Sequence, residues 1–319
     1  MLLTLAPADF RILHMLFRTV GTGIMAGDGT MFTDNFCRYE FKFPVSYDVM
    51  NAMMEDLSSY VEKDPYANKN GFYCLSSIYF DNESDQCYHE TMNGQRYRQK
   101  VRLRIYRSAG DMSTASGVEN VHDEQVDGDE PSFFEIKAKI NGLVVKRRVK
   151  MKLKDAMAFT AYTQEQIESG IDVSGILSEE NTEKLKEFES SNPQILRELD
   201  YVIVTKKLRP RNVVSYERLA MFSKDDPELR ITFDLNIRTR GDDLDLAQGT
   251  GGKLSCPENV AVLEVKTGKE IPLWLVKLLA RYSYRNKTFS KYCSYYVNML
   301  PAESLYAEYV DTEHRRQAL

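Results

Sequence analysis

Residues 96–106 read Arg-Tyr-Arg-Gln-Lys-Val-Arg-Leu-Arg-Ile-Tyr, so that a basic side chain stands at nearly every second position. Successive side chains of a β-strand point to opposite faces of the sheet. One face of this segment would therefore carry only basic residues, namely Arg96, Arg98, Lys100, Arg102 and Arg104. The other face would carry Tyr97, Val101, Leu103 and Ile105. The stretch predicts a long strand with one cationic face and one apolar face.

The same alternation recurs in other segments. It is found in residues 135–139 and 230–238, and in shorter form in Glu40-Phe41-Lys42 and Glu264-Val265-Lys266. One face of an antiparallel sheet is commonly solvated, so a single charged row has an ordinary explanation. Several such rows favour a second explanation, in which cationic faces surround a polyanion. Like charges that face each other repel, so these rows need either a bound anion or the interleaved carboxylates.

A barrel has no unpaired edge and would gather the charged rows around one volume. We therefore predict a mainly antiparallel α+β fold with roughly eight or more strands, decorated by helices, and a closed barrel with a polar, basic lumen is the arrangement that would gather the charged rows. Asn141-Gly142 separates two alternating runs and predicts a hairpin. Residues 155–198 are rich in Glu, Gln, Lys, Leu and Ala, which predicts helices with breaks at Gly170 and Gly175.

Three segments are expected along the chain. Residues 36–300 contain no linker, repeat or low-complexity run, which predicts one domain. Residues 1–35 are expected to be an N-terminal extension, for which Met25 and Met31 are alternative starts. Residues 301–319 are expected to be a C-terminal tail.

Composition and charge are typical of a soluble globular protein. The chain has 319 residues, 43% of them hydrophobic and 28% charged, and a net charge of −5. Overall acidity argues against a general nucleic-acid binder, and no recognition helix accompanies the basic rows. We therefore expect an enclosed anion site and no double-stranded nucleic-acid partner.

The cysteines and histidines point to no metal or disulfide framework. The cysteines are odd in number and widely spaced, without a C-x-x-C pair, and the four histidines are scattered. Reduced thiols are typical of the cytosol, and no apolar run reaches the ~18 residues of a membrane span. The sequence predicts a cytoplasmic protein. The cysteines are Cys37, Cys74, Cys87, Cys256 and Cys293.

A basic lumen suits phosphate chemistry. The planar guanidinium of arginine matches phosphate oxygens, and lysine acts as a point charge. Carboxylates in the same lumen make sense if they hold Mg²⁺ or Mn²⁺, which bind oxygen ligands and bridge to substrate phosphates. Phosphoryl transfer needs mainly positioning and charge neutralisation, so it requires no His, Cys or Ser nucleophile.

Eight short motifs resemble, in their order, one family. They are Arg38-Tyr39-Glu40-Phe41-Lys42, Ser77-Ile78-Tyr79-Phe80-Asp81-Asn82, Val101-Arg102-Leu103-Arg104-Ile105-Tyr106, Glu135-Ile136-Lys137, Ser215-Tyr216-Glu217-Arg218, Leu229-Arg230-Ile231-Thr232-Phe233-Asp234, Leu263-Glu264-Val265-Lys266 and Phe289-Ser290-Lys291-Tyr292. Over residues 36–300 the chain resembles the VTC domain, the catalytic domain of the vacuolar transporter chaperone polyphosphate polymerases. That family, which includes free-standing bacterial proteins, belongs to the triphosphate tunnel metalloenzymes. The resemblance implies an eight-stranded antiparallel β-barrel tunnel with a polar, basic lumen, which holds a phosphate chain in its centre.

The resemblance implies roles for individual residues. The basic phosphate ligands that it implies are Lys42, Arg102, Arg104, Lys137, Arg218 and Arg230. Further phosphate-binding positions are Lys139, Tyr216, Lys266, Ser290 and Lys291, where Lys139 stands in place of a histidine of the eukaryotic polymerases. Glu264 matches the metal-binding glutamate, and Glu40 and Glu135 on matching strands are further expected ligands of Mn²⁺ or Mg²⁺. Asp234 is expected to pair with Arg230.

The resemblance also implies a reaction and its alternatives. The expected function is transfer of phosphate from ATP to a growing inorganic polyphosphate chain, with a separate membrane protein as a possible partner. The related triphosphatases and class IV adenylate cyclases begin with E-x-E-x-K, whereas the corresponding positions here are Arg38, Glu40 and Lys42. Loss of the first carboxylate favours the polymerase over a tripolyphosphate or polyphosphate hydrolase. A non-catalytic polyphosphate- or nucleotide-binding module is the second alternative.

Overall fold

A computed structural model describes residues 35–108, 126–141, 143–268, 270–282 and 289–297. The predicted extension, apart from residue 35, and the predicted tail lie outside these described residues. All strands of the described chain belong to one antiparallel sheet. The strands are β1 (Asn35–Ser46), β2 (Val61–Lys63), β3 (Phe72–Asp81), β4 (Tyr97–Ser108), β5 (Pro131–Ile140), β6 (Leu143–Lys152), β7 (Arg209–Ser223), β8 (Arg230–Arg240), β9 (Lys253–Leu254) and β10 (Val260–Thr267).

The strand order confirms the antiparallel α+β fold and corrects the predicted eight-stranded barrel. The order is β2-β7-β3-β4-β5-β6-β1-β10-β8-β9, and β7 also pairs with β8 between Val213↔Arg240 and Phe222↔Arg230. Within the described chain the two end strands, β2 and β9, each have a single partner. The sheet therefore has ten strands and is not closed into a barrel as a whole, because the short segments Val61–Lys63 and Lys253–Leu254 extend its two ends.

Helices lie between the strands. They are α1 (Tyr47–Leu57), α2 (Gln86–Met92), α3 (Leu153–Ser169), α4 (Val173–Ile176), α5 (Glu179–Leu185), α6 (Pro193–Thr205), α7 (Leu273–Arg281) and α8 (Lys291–Val297), with a 3-10 turn at Leu246–Gln248. In the described part of the chain, no helix is both long enough and apolar enough to cross a membrane.

Local sequence signals explain where several elements end. The predicted hairpin is confirmed, since Ile140 pairs with Leu143 and Asn141 has a φ of 50°. Gly170 ends α3 in the left-handed conformation that glycine adopts without a Cβ clash, as predicted. The break predicted at Gly175 is wrong, because this residue lies inside α4, where the side chain of Asp172 accepts a hydrogen bond from its amide.

The apolar face of the basic strand β4 forms the core. Val101, Leu103 and Ile105 are buried in one cluster with Phe134 of β5 and Phe159 of α3. Complete burial of such a side chain contributes roughly 1.5–3 kcal/mol. Leu103→Ala would leave a cavity and cost about 2–5 kcal/mol. Because helices cover this face, the alternate basic residues of β4 point to the opposite side of the sheet.

Candidate functional site

Cross-strand pairing places cations opposite carboxylates. Lys42 of β1 faces Glu264 of β10, and Arg218 of β7 faces Asp234 of β8. Directly opposed residues share a face of the sheet and lie within side-chain reach of each other. The charged rows are therefore interleaved by sign, as expected if they share one volume.

Glu264 lies at the centre of one charged cluster. Its side chain is 5% exposed, and both of its oxygens contact cations. Oε1 lies 2.6 Å from Lys291 Nζ and 3.3 Å from Lys42 Nζ, while Oε2 lies 2.6 Å from Lys266 Nζ and 3.4 Å from Arg218 Nη2. Burial alone would raise the pKa of Glu264, but the surrounding cations, Lys266 first among them, hold that pKa well below its usual range. Glu264 is therefore an anion at neutral pH.

Asp234 forms the second half of this cluster. Arg218 donates two hydrogen bonds to its carboxylate, Nε to Oδ1 at 2.6 Å and Nη2 to Oδ2 at 2.7 Å, and Lys291 also contacts Oδ2. The expected pair between Asp234 and Arg230 is wrong. These residues stand four positions apart on one strand, about 13 Å along its axis, whereas Arg218 lies directly opposite Asp234.

Arg230 instead binds residues of two other segments. Its Nη2 lies 2.8 Å from Asp64 Oδ2 and donates to the Tyr73 hydroxyl at 2.8 Å. Its guanidinium lies over the ring of Phe222, 4.8 Å from the centroid. Asp64 is buried immediately after β2. This acidic partner could not be identified from the sequence, because it belongs to no alternating charged row.

A third cluster surrounds Glu135, which is fully buried on β5. Arg102 donates from Nε to Glu135 Oε2 at 2.5 Å and from Nη1 to the Tyr79 hydroxyl at 3.1 Å. Lys146 Nζ lies 3.0 Å from the other carboxylate oxygen. Burial would raise the pKa of Glu135, but Arg102 and Lys146 outweigh it and hold the pKa well below its usual range. Glu135 therefore lies between Arg102 and Lys146, as expected of a carboxylate interleaved with basic rows.

Arg104 differs from the other arginines of the site. Its Nε donates to Ser77 Oγ at 2.8 Å and its Nη2 to the Tyr216 hydroxyl at 2.9 Å. Among the described residues, no carboxylate forms an ion pair with it. The ring of Tyr216 lies against three cations, 5.7 Å from Arg104, 5.2 Å from Arg218 and 4.9 Å from Lys291. Tyr216 therefore connects Arg104 to the Asp234 and Glu264 cluster.

The two predicted lysines of β5 differ in their ion pairing. Lys137 donates to both oxygens of Glu40, at 2.9 and 2.7 Å. Burial would raise the pKa of Glu40, but Lys137 and Lys266 lower it by more. Lys139 shares the strand face of Lys137 but forms no hydrogen bond or ion pair with a described residue. It lies opposite Arg98 in the strand register, and Lys137, Glu40 and Lys42 of the site are near enough to affect its pKa, which burial lowers.

Residues 289 and 290, immediately before α8, contact the site. Ser290 Oγ accepts a hydrogen bond from Lys100 at 3.1 Å, and the Phe289 carbonyl accepts one from Lys42 at 3.0 Å. Lys291 begins α8 and reaches Glu264. Lys100 was part of the basic row of β4 but was not among the predicted ligands. Lys100 shares its strand face with Arg102 and Arg104, so the alternation of β4 was the sequence signal that could have identified it as a site residue.

Cations exceed carboxylates in the connected site. The site has ten basic residues, namely Lys42, Lys100, Arg102, Arg104, Lys137, Lys146, Arg218, Arg230, Lys266 and Lys291. Its carboxylates are Glu40, Asp64, Glu135, Asp234 and Glu264. Desolvated cations in excess over their partners attract anions strongly. The arrangement suits a ligand with several negative charges.

Comparison with known families gives a match over residues 37–300 to the VTC domain. The chain belongs to the VTC domain family. The resemblance noted in the sequence is therefore confirmed. Comparison with curated protein sequences gives no match.

Three solved structures show low similarity to this VTC domain. One is an adenylyl cyclase from Hippeastrum described as having a dominant triphosphatase activity, with 11% identity, a TM-score of 0.41 and coverage of 83% of this chain and 98% of its own. The capping enzyme triphosphatase of Mimivirus has 8% identity, a TM-score of 0.32 and coverage of 87% and 97%. An adenylate cyclase from Vibrio parahaemolyticus has 10% identity, a TM-score of 0.33 and coverage of 79% and 95%.

The VTC domain's three predicted metal ligands do not meet at one point. The described residues contain no group of three or more His, Cys, Asp or Glu side chains that could hold a metal ion. Glu264, Glu40 and Glu135 are each paired with lysine or arginine. Mg²⁺ commonly uses one or two carboxylates and takes its other ligands from water and substrate phosphates. Glu264, whose two buried oxygens are paired with lysine and arginine, would fit that kind of shared site once substrate phosphates bind those cations, and the described residues form no all-protein cage.

Proposed function

We propose that this VTC domain is a polyphosphate polymerase that transfers the γ-phosphoryl group of ATP to a growing inorganic polyphosphate chain. We infer that the eight strands joined through the β7–β8 pairing surround a tunnel, and that the phosphate chain occupies it. The excess of cations over carboxylates supports this assignment. A chain of phosphates carries negative charge on every unit, so it matches basic residues spread over many strands better than a compact anion does.

In the proposed reaction, a terminal oxygen of the polyphosphate chain attacks the γ-phosphorus of ATP. A new P–O–P bond forms, the bond between the γ-phosphorus and the β–γ bridging oxygen breaks, and ADP leaves with that electron pair. Arg102, Arg104, Lys137, Arg218 and Arg230 would neutralise charge on the transferred group and the leaving group. Such transfer depends on positioning and electrostatic stabilisation, which the rigid sheet provides.

Glu264 would be the residue that holds a divalent ion, and such an ion would supply charge neutralisation for the substrate phosphates. The protein's own contribution is to orient that carboxylate. Lys42, Lys266 and Lys291 surround Glu264 at 2.6–3.3 Å. Substrate phosphates would take over these lysines and so free carboxylate oxygens for the ion. The same lysines would then bind the phosphate chain.

The state of the carboxylates favours the polymerase over the hydrolase. Hydrolysis of a triphosphate needs a base that activates water, and a carboxylate whose pKa is lowered is a poor base. The pKa of Glu40, Glu135, Asp234 and Glu264 is lowered in each case by neighbouring cations that outweigh burial. The terminal phosphate of a polyphosphate chain is already ionised and needs no such base. The lowered pKa of these carboxylates in the free protein supports the polymerase, and the excess of cations over carboxylates carries the proposal.

Incubation with ATP and Mn²⁺, with and without a short polyphosphate primer, tests the proposal on a gel that resolves chain length. We expect a ladder of growing chains that is lost in Glu264→Ala. Glu183→Ala is the matched control, because Glu183 forms an exposed pair with Lys186 on the helical side of the molecule. Orthophosphate without a ladder would assign the hydrolase. Binding of polyphosphate without any turnover would assign the non-catalytic module.

The proposed setting is the cytoplasm, with ATP as the donor and a separate membrane protein as a possible partner for export of the product. Cys74, Cys87, Cys256 and Cys293 are free and buried, as suits a reducing compartment. Co-purification of the protein with membranes from its own cells would test whether such a partner exists.

A further inference from the structure

Hydroxyl groups of β3 contact the arginines of the site. Tyr73, Ser77 and Tyr79 stand at odd-numbered positions and therefore share one face of the strand. Ser77 lies directly opposite Arg104 of β4, and Tyr79 lies directly opposite Arg102. These three side chains are defined here as the β3 hydroxyl row. Ser77 and Tyr79 belong to one of the eight motifs that carry the family resemblance, but no role was inferred from the sequence for any of the three.

Each hydroxyl of the row accepts a hydrogen bond from a guanidinium. Arg104 donates to Ser77 at 2.8 Å, Arg102 to Tyr79 at 3.1 Å and Arg230 to Tyr73 at 2.8 Å. A neutral oxygen orients an arginine without cancelling its charge, whereas a carboxylate does both. Arg104 shows this most clearly, because among the described residues it has hydroxyl partners and no carboxylate ion pair. Its charge is held in place and remains available.

The hydroxyl hydrogens of the row have no acceptor within the described chain. Each hydroxyl makes one hydrogen bond, in which its oxygen is the acceptor. A hydroxyl oxygen that accepts from a cation is polarised, and its own hydrogen becomes a stronger donor. Ser77 is fully buried and Tyr79 nearly so, so an anion inside the site is the acceptor that they would serve. The same geometry holds for Tyr216, whose role the family resemblance already implied.

We infer that the β3 hydroxyl row is part of the phosphate-binding surface, where Ser77 and Tyr79 position Arg104 and Arg102 and donate their hydrogens to phosphate oxygens. This inference rests on the proposed function, because it takes the occupant of the site to be a phosphate chain. It adds neutral donors to a site otherwise described by its charges. These donors would bind phosphate whether or not a divalent ion is present.

The test measures tripolyphosphate binding by titration calorimetry, in EDTA and without ATP. Ser77→Ala and Tyr79→Phe each remove one hydroxyl and keep the rest of the side chain. A hydrogen bond to a charged group is worth enough to change Kd by about tenfold or more, so we expect at least that weakening in each variant. Should one variant not fold, the other carries the test alone.

Ser76→Ala is the matched control. Ser76 is the buried neighbour of Ser77, but its hydroxyl bonds that of Ser215 at 3.0 Å on the opposite face of β3. Its loss should lower the melting temperature to a similar extent and leave tripolyphosphate binding unchanged. Tyr162→Phe serves in the same way for Tyr79, because the Tyr162 hydroxyl donates to Asn181 within the helical layer.

The pH dependence separates a direct role of Tyr79 from a packing role. Burial raises the pKa of Tyr79, but Arg102 and Arg104 of β4 and Lys291 of α8 outweigh it and lower that pKa to about 8. Ionisation removes the donor hydrogen and adds a negative charge beside Arg102. Affinity of the wild-type protein should therefore fall as pH rises through 8, and the difference between wild type and Tyr79→Phe should shrink. Lys100 of β4 is a further charged neighbour of Tyr79 and burial lowers its pKa, and the pKa of Lys266 is lowered to about 7, so the difference between wild type and Tyr79→Phe, and not the wild-type curve alone, reports Tyr79. Tyr292 of α8, whose pKa is raised, and Asn212 of β7 stay neutral in this range.

The outcomes distinguish the two proposals. If wild-type protein does not bind tripolyphosphate, the proposed function itself fails. If wild-type protein binds it but Ser77→Ala and Tyr79→Phe bind equally well, the hydroxyl row is a structural feature and the inference is overturned. If both variants weaken binding and both control variants do not, the inference stands.

Discussion

Arg104→Ala and Arg218→Ala remove the same charge from the same site, and their main effects should differ. Arg218 donates two hydrogen bonds to Asp234, which is fully buried. Arg104 donates only to the neutral hydroxyls of Ser77 and Tyr216. Loss of Arg218 thus leaves a buried carboxylate with reduced compensation, whereas loss of Arg104 leaves no charge behind.

The structure sets the magnitudes. Removal of one partner of a buried ion pair costs about 3–5 kcal/mol, so Arg218→Ala should lower the melting temperature by on the order of 10 °C. Arg104→Ala loses two hydrogen bonds from a charged donor, about 1.5–3 kcal/mol each, offset in part because the burial cost of the charge and its repulsion with Arg102 disappear. Its melting temperature should fall by less than that of Arg218→Ala, because no buried charge is left unpaired. Turnover should nonetheless fall tenfold or more, which is ~1.4 kcal/mol or more of transition-state stabilisation.

Differential scanning fluorimetry and initial rates of chain growth, measured on the same preparations, check this contrast. Arg281→Ala is the matched control, since Arg281 is an exposed arginine on α7 paired with Asp56, and it should affect neither quantity. A fall in melting temperature for Arg104→Ala as large as that for Arg218→Ala would refute the reasoning. So would unchanged turnover in Arg104→Ala, because the uncompensated charge would then have no role in the reaction.

Three further predictions concern the metal, the strand β5 and the helix α8. EDTA should abolish chain growth but preserve tripolyphosphate binding by calorimetry, because the protein's own cations attract the anion; loss of binding would mean that the metal creates the site. Lys137→Ala should weaken binding more than Lys139→Ala, since Lys137 neutralises Glu40 and Lys139 contacts no described carboxylate; the reverse order in the same titration would contradict this. Tyr292→Phe should weaken binding, because the Tyr292 hydroxyl bonds Asp81 and fixes α8; unaltered binding would show that α8 is held by other contacts.

Alternation in the sequence predicted which side chains share a strand face. It did not predict which residues form ion pairs across strands, because those partners are distant along the chain. The basic row of β4 and its apolar reverse face were readable because the side-chain period of a strand is two. The partner of Arg230 was not, because Asp64 follows a three-residue strand with no pattern of its own. Asp234 was assigned to the wrong arginine, since strand register is a property of two segments and one segment does not specify it.

The two added strands have a similar explanation. β2 and β9 are three and two residues long, too short for periodicity to distinguish them from loops. They pair with β7 and β8, the strands that also pair with each other. The sequence therefore indicated the long strands and the antiparallel class, but the ends of the sheet depend on pairings that only tertiary structure selects.

The carboxylates of the site reduce the electrostatic repulsion between its buried cations. Cations buried together repel each other, so the protein needs Glu135, Asp234 and Glu264 to fold without a ligand. A bound phosphate would compete with these carboxylates for the same lysines and arginines. Replacing a carboxylate partner by a phosphate oxygen would contribute little net binding free energy. The gain is largest at cations without a described carboxylate partner, which are Arg104 and Lys100. Affinity for polyphosphate should therefore depend on these two residues more than on the total number of basic side chains.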